Sequence, residues 1–179
     1  MTQKGRKAKG NSGENEAAEL FGEWYYRDKR ALMRMPGSRG RKLFPDQAGD
    51  IVPARGGLAK PWVFAVEVKR DKKVTVDGYL FRGRDSFLWE CWRQARQAAR
   101  EKSKIPLLVY RQNRQPWIVC LALQDALAVQ TLIVPLKEPL LKTRVLLFFH
   151  LNILFEKTSP ADWRRLWRQH YAGRTSRAA

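Results

Sequence analysis

The chain has little cysteine, little histidine, few acids and no long oily stretch, and each shortage removes a class of protein. Two cysteines, Cys91 and Cys120, lie far apart within apolar runs of the 179 residues. They form no Cys-x-x-Cys pair, and with only two histidines there is no zinc-ligand cluster. Buried free thiols in a reducing cytoplasm are expected, not a disulfide scaffold. The most apolar late run, "VLLFFHLNILF", is too short to span a bilayer and carries His150 and Asn152. The opening "MTQKGRKAKGNSGENE" lacks the apolar centre of a signal peptide. A soluble cytoplasmic, nucleoid-associated protein is expected, with no membrane partner and no small-molecule cofactor.

Acids are outnumbered by bases, 17 Asp and Glu against 35 Lys and Arg, which gives a formal charge of +18. Such an excess points to a polyanionic partner. An apolar fraction of 44% with seven tryptophans is that of a folding chain, not of a disordered polybasic one. Residues 1–10, with Lys4, Arg6, Lys7 and Lys9 and no acid, read as a basic flexible arm. Residues 11–124 read as the core and 125–179 as a C-terminal extension packed on it.

A helix is expected over 13–29, with Ala17, Leu20, Phe21 and Trp24 on one face and Glu16, Glu19 and Glu23 opposite. Glu14 falls beside the apolar stripe. "ALMRM" reads as a short strand, and "PGSRGRKLFPDQAG" as a loop bearing Arg39, Arg41 and Lys42. "DIVPA" and residues 61–69 read as the next strands. "RDKKVTVDGYLFRGRD" reads as a basic excursion, with Arg70, Lys72 and Lys73 as further phosphate contacts. A helix over 85–102 carries Leu88, Cys91, Trp92, Ala95 and Ala99 at helical spacing. Strands "IPLLVY" and "QPWIVCLAL" follow, then a short helix near 125. "TRVLLFFHLNILF" fits either a strand or a buried helix. "SPADWRRLWRQHYAG" has Ser159 as a cap and Pro160 at the first helical position. The order implies a mixed α/β sandwich.

Charge appears where the pattern resists it. Asp50 opens "GDIV", and Glu67 and Lys69 interrupt the apolar run "WVFAVEVK" on one face of its strand. Ionised groups are almost never fully buried unless paired or bound to metal. Two carboxylates beside an ammonium suit magnesium, a hard cation that takes oxygen ligands and water. Glu14, inward on the first helix, can reach the same cluster. Metal-assisted phosphodiester hydrolysis fits these parts. The plain alternative is an Asp50–Lys69 ion pair with Glu67 at a strand end.

Residues 9–20, "KGNSGENEAAEL", resemble the opening motif of the archaeal-type Holliday-junction resolvases, and "GDIV" with "VEVKRDKK" resembles the two halves of the PD-(D/E)xK nuclease signature. The resemblance runs from Lys9 to Leu123. It implies a restriction-endonuclease-like mixed central sheet flanked by helices. It makes Glu14, Asp50, Glu67 and Lys69 the catalytic set, with the Val68 carbonyl as a further ligand for Mg2+, for which Mn2+ substitutes. Arg34 and Ser38 would contact the DNA backbone near the scissile phosphate, and Lys9 would be a further contact. Asp46, in "PDQAGD", rivals Asp50, but only Asp50 leads directly into a strand. The expected activity is resolution of four-way junctions by a homodimer, and a phage-borne relative is one reading. Phe87 to Trp92 and the apolar tail 145–155 are the candidate dimer surfaces. Another nuclease of this fold, acting on duplexes, flaps or single strands, and a non-catalytic basic DNA-binding module remain open.

Overall fold

The computed structural model describes residues 3–36, 42, 44–56, 58, 60–71, 75–112, 115–129, 141–143 and 146–172, with side chains except those of 3–10, 76, 81, 141 and 142. Helix α1 (Gln3–Tyr26) leads into a two-stranded antiparallel ribbon of β1 (Leu32–Arg34) and β2 (Ile51–Pro53). The main sheet begins with β3 (Phe64–Lys69). Helices α2 (Val76–Arg82) and α3 (Phe87–Glu101) form the crossover to β4 (Ile105–Tyr110), which lies parallel to β3. Strand β5 (Ile118–Ala122), helix α4 (Leu123–Ala128), strands β6 (Leu141–Lys142) and β7 (Leu146–His150), and helices α5 (Leu151–Lys157) and α6 (Pro160–His170) complete the described chain. The sheet order is β3-β4-β5-β7-β6, antiparallel after the first pair. Helices cover both faces, a mixed α/β fold of the restriction-endonuclease-like kind.

Alternation along the strands builds two cores. Phe64, Val66 and Val68 point toward α1, α5 and α6, where Phe21, Trp24, Leu154 and Trp163 are buried. Leu108, Tyr110, Cys120 and Phe148 point the other way, onto Leu88, Cys91, Trp92 and Ala95 of α3. This is the stripe expected for 85–102, and Ser86 caps it by accepting the Trp89 N–H at 3.1 Å. Both cysteines are buried free thiols. No described helix is long and apolar enough to cross a membrane.

Several expectations change. Helix α1 starts at Gln3, ten residues before the expected start at 13, and its inward face is rotated: Tyr25 is buried while Leu20 is 38% exposed. Aromatic packing explains the rotation, because Tyr25 meets the Trp62 ring edge-on at 5.2 Å and donates its hydroxyl to the Pro61 carbonyl at 2.7 Å. The basic excursion contains α2, capped by Thr75, which accepts the Gly78 N–H at 2.8 Å. "TRVLLFFHLNILF" holds a strand and a helix in succession, β7 and α5. The candidate dimer surface 145–155 is corrected: Leu146, Phe148, Phe149, Leu151 and Leu154 are buried within this chain. Leu88, Cys91 and Trp92 are buried likewise, and Phe87 and Glu90 are the exposed residues of that group. Residues beyond 124 supply two strands of the main sheet, so they are part of its core.

Candidate active site

Strand β3 is an edge of the main sheet. Its Val63 and Lys69 carbonyls accept from Ile105 and Arg111 on the β4 side. By strand alternation, the backbone groups of Val66 and Val68 face the other, open edge. Asp50 meets them there. Its N–H donates to the Val66 carbonyl at 2.7 Å, and its Oδ2 accepts the Val68 N–H at 2.8 Å. Its own carbonyl accepts the Met35 N–H at 2.7 Å. Gly49 permits this approach: φ is +85°, and a Cβ there would lie 2.5 Å from the Val66 oxygen. The Trp62 indole N–H, donating to the Ile51 carbonyl at 3.2 Å, ties β2 to the chain entering β3.

Glu67 and Lys69 share the α3 face of β3, as the alternation requires, and the Lys69 ammonium donates to Glu67 Oε1. Glu14 comes from α1 and is half-buried, with the Arg34 guanidinium 3.7 Å from its Oε2. Burial, and then the charges of Asp50 and Glu14, push the Glu67 carboxyl up against the pull of Lys69. Burial and then Asp50 push Glu14 up, against Arg34 and Lys69. Burial draws the Lys69 ammonium down, but Glu67 and Asp50 outweigh it and its pKa is raised. Three carboxylates thus repel one another around a single ammonium. The Lys69 ammonium is hydrogen-bonded to Glu67 and also feels the charge of Asp50.

Among the described residues, no three His, Cys, Asp or Glu side chains gather into a self-sufficient metal site. The Asp50 and Glu67 carboxylates and the Val68 carbonyl on the open edge nevertheless fit a hard cation that keeps some of its waters. Their mutual repulsion is what such a cation relieves. Asp46 is exposed on a turn, where its charge acts on Lys104. Of the expected DNA contacts, Arg34 is beside Glu14, Lys42 is exposed, and Arg70 donates to Ser12 Oγ at 3.4 Å. The Lys9 side chain, Ser38, Arg39, Arg41, Lys72 and Lys73 lie outside the described residues. Gln94 and His170 are exposed, and Trp89 stacks on Tyr79 at 6.2 Å.

Sequence reasoning missed one network. Glu16, expected to face solvent, receives the Arg111 guanidinium and the Trp117 indole N–H, the latter at 3.0 Å. Arg111 also lies 4.5 Å from the centre of the Trp117 ring. Arg111 follows β4 and Trp117 precedes β5, so the clamp fastens α1 to the sheet two residues from Glu14. A long loop-borne partner is invisible to helical periodicity, and no signal on α1 itself marks it.

The chain matches, over residues 5–143, the model of a family described as "Phage putative PDDEXK endonuclease". It is also similar to Protein D14 of Escherichia phage T5, 27% identical over 118 residues, which cover 65% of this chain and 71% of that protein. No solved structure matches it significantly. Nucleases of the PD-(D/E)xK kind generally use divalent metals, in keeping with the oxygen donors gathered on the edge of β3. The family match takes in Glu14, Asp50, Glu67 and Lys69 and four of the five strands of the main sheet short of β7. The chain therefore belongs to this phage PDDEXK endonuclease family, and it is a nuclease whose substrate is DNA.

Proposed function

We propose that this nuclease is a magnesium-dependent endonuclease that resolves four-way DNA junctions by paired, symmetric incisions, acting as a homodimer. The observation that carries the reading is the gathering of Asp50, Glu67 and Lys69 on an open strand edge with Glu14 brought in from α1. Glu14 lies in the segment that resembles the resolvases, and an acid from the first helix distinguishes this arrangement from Asp-Glu-Lys alone. Asp50, Glu67 and the Val68 carbonyl would hold the ion, with Glu14 as an outer or second ligand. When bound, magnesium or manganese supplies polarisation of the scissile phosphate and a more acidic water.

The other roles belong to the chain. The Lys69 ammonium, fixed beside Glu67, holds the attacking water and offsets negative charge developing on the phosphate. Arg34, 33% exposed, can turn from Glu14 to a phosphate oxygen. Lys9, Ser38, Arg39, Arg41, Lys42, Arg70, Lys72 and Lys73 hold the DNA backbone without reading bases. A four-way junction is two-fold symmetric, so a symmetric dimer would place one cluster at each of two strands. Shape then selects the junction, because splayed arms offer more phosphates to a +18 chain than one linear arm. The test is cleavage of a labelled four-way junction beside a linear duplex of the same sequence, with and without magnesium. Paired nicks with 5′ phosphates on the junction, dependent on the ion, are expected. Equal cutting of both DNAs by a monomer would replace the junction reading with a general nuclease of this fold.

A further inference from the structure

The crossover between β3 and β4 carries a second feature that the cutting site does not use. A cleft of about 480 Å3 opens beside α2 and the first turns of α3. Arg82, Arg84 and Arg93 line it, together with Trp89 and Phe87. Asp85 and Glu90 line it too, yet none of the three guanidinium groups makes an ion pair among the described residues. The Trp89 indole is fixed by stacking on Tyr79, and the Arg84 guanidinium lies 5.6 Å from its ring centre. The cleft joins this cationic rim to an aromatic wall, and its volume lies in the range of small-molecule sites.

Its location matters. Helix α3 returns from the end of β3 that bears Glu67 and Lys69, so its first turns lie at that end of the sheet. Cys91, two residues beyond Trp89, is close enough to feel the charges of both Lys69 and Glu67. A DNA strand leaving the cutting site therefore has the cleft within reach.

We infer that this cleft is a subsite for one unpaired nucleotide of the DNA substrate, its base against Trp89 and its phosphate on Arg84 and Arg93. Aromatic stacking combined with a cationic rim accepts any base, because every base has a π face. The inference rests on the nuclease reading above and sharpens its substrate: the strand being cut passes through an unstacked step close to the scissile bond.

Arg84 and Arg93 are exposed, so Arg84→Gln and Arg93→Gln can be made without disturbing the core. Binding of the full-length wild type and the double variant is measured on two DNAs, a fully paired duplex and the same duplex with one unpaired 2-aminopurine. The double variant should lose about tenfold or more in affinity for the second DNA and about threefold or less for the first. The 2-aminopurine quenching that stacking on an indole produces should appear with the wild type and fade with the variant. Equal losses on both DNAs, or no quenching with the wild type, would show a general electrostatic surface and overturn the subsite. If the differential loss holds while junctions are cut no better than duplexes, the subsite stands and the resolvase reading falls.

Discussion

The open edge of β3 and the C-terminal helix pair handle polar groups in opposite ways. In the helix pair the cap of α6 and the buried indole and hydroxyl groups find partners within the chain, although Arg164 keeps one buried nitrogen without a hydrogen bond. Ser159 and Asp162 close a reciprocal capping box at the start of α6. The Trp163 indole N–H donates to Thr158 Oγ1 at 2.8 Å, and Trp167 donates to the Ser103 carbonyl at 2.6 Å. The Tyr171 hydroxyl bonds the buried Asp125 carboxylate at 2.8 Å. At the β3 edge burial and the charge of Asp50 push both Glu14 and Glu67 up, against the pull of Lys69 and, at Glu14, of Arg34. Polar groups in agreement hold the fold. Polar groups left in conflict mark where the fold is put to use, since that conflict is relieved by what binds.

The sharpest way to break this contrast is at Asp50. Asp50→Asn should lower cleavage by about a thousandfold or more, roughly 4 kcal/mol in the barrier, with DNA affinity kept or raised because a negative charge facing phosphate is gone. Asp46→Asn should cut at close to the wild-type rate; the reverse pattern in a plasmid-nicking assay would move the site to Asp46. Trp163→Ala is the matching cut in the other region. The ring is fully buried and packs 5.3 Å from Phe64. Urea unfolding should show a loss of about 3 kcal/mol or more, while the folded fraction still cleaves.

One helix then allows both behaviours to be compared within a single turn. Glu14→Gln should lower cleavage by about tenfold or more and leave the melting temperature unchanged or higher, because one of three repelling charges is removed. Glu16→Gln should do the opposite. It strands Arg111, whose side chain is 16% exposed, and should cost about 1–3 kcal/mol of stability with a smaller change in cleavage per folded molecule. Losses of the same kind for both variants would erase the distinction between the two glutamates.

Lys104 is an intermediate case, a buried ammonium that donates to the Trp62 carbonyl. Burial pulls its pKa down to about 8, against the charge of Asp46. With the folded pKa below the unfolded one, the unfolded chain holds more protons between about pH 8 and 10.5, so stability from this group rises with pH in that window and is lowest below it. The wild type should therefore gain on Lys104→Met by on the order of 1 kcal/mol per pH unit from pH 8 to 10. A stability difference flat across that range would show that Lys104 is not buried as a charge.

Most of the strands and the capped helices were readable from sequence, because alternation and caps are local. Thr75 as a cap on α2 was equally local, but the basic residues around it masked the signal. The rotated stripe of α1 was not readable, since it is set by Tyr25 meeting Trp62 and Pro61 from another segment. Period alone also cannot divide the β7–α5 run, because β7 is buried on both faces from Leu146 to Phe149 and shows no alternation. In the site, the gathering of Glu14, Asp50, Glu67 and Lys69 followed from strand alternation and one helical face. Glu16 did not, because its partners Arg111 and Trp117 come from loops 95 and 101 residues away.

Gly49 has no functional group, yet the contact of its missing side chain with Val66 sets how close the acid comes to β3. A single methyl at this position would collide with backbone on both sides of the peptide it faces, and the Asp50 hydrogen bonds to Val66 and Val68 would open together. A saturation screen scored only by DNA cleavage would therefore rank this glycine with the acids. Scored by DNA binding, the same screen would pass over it. Tolerance to change just before Asp50 is governed at position 49 by clearance and not by chemistry.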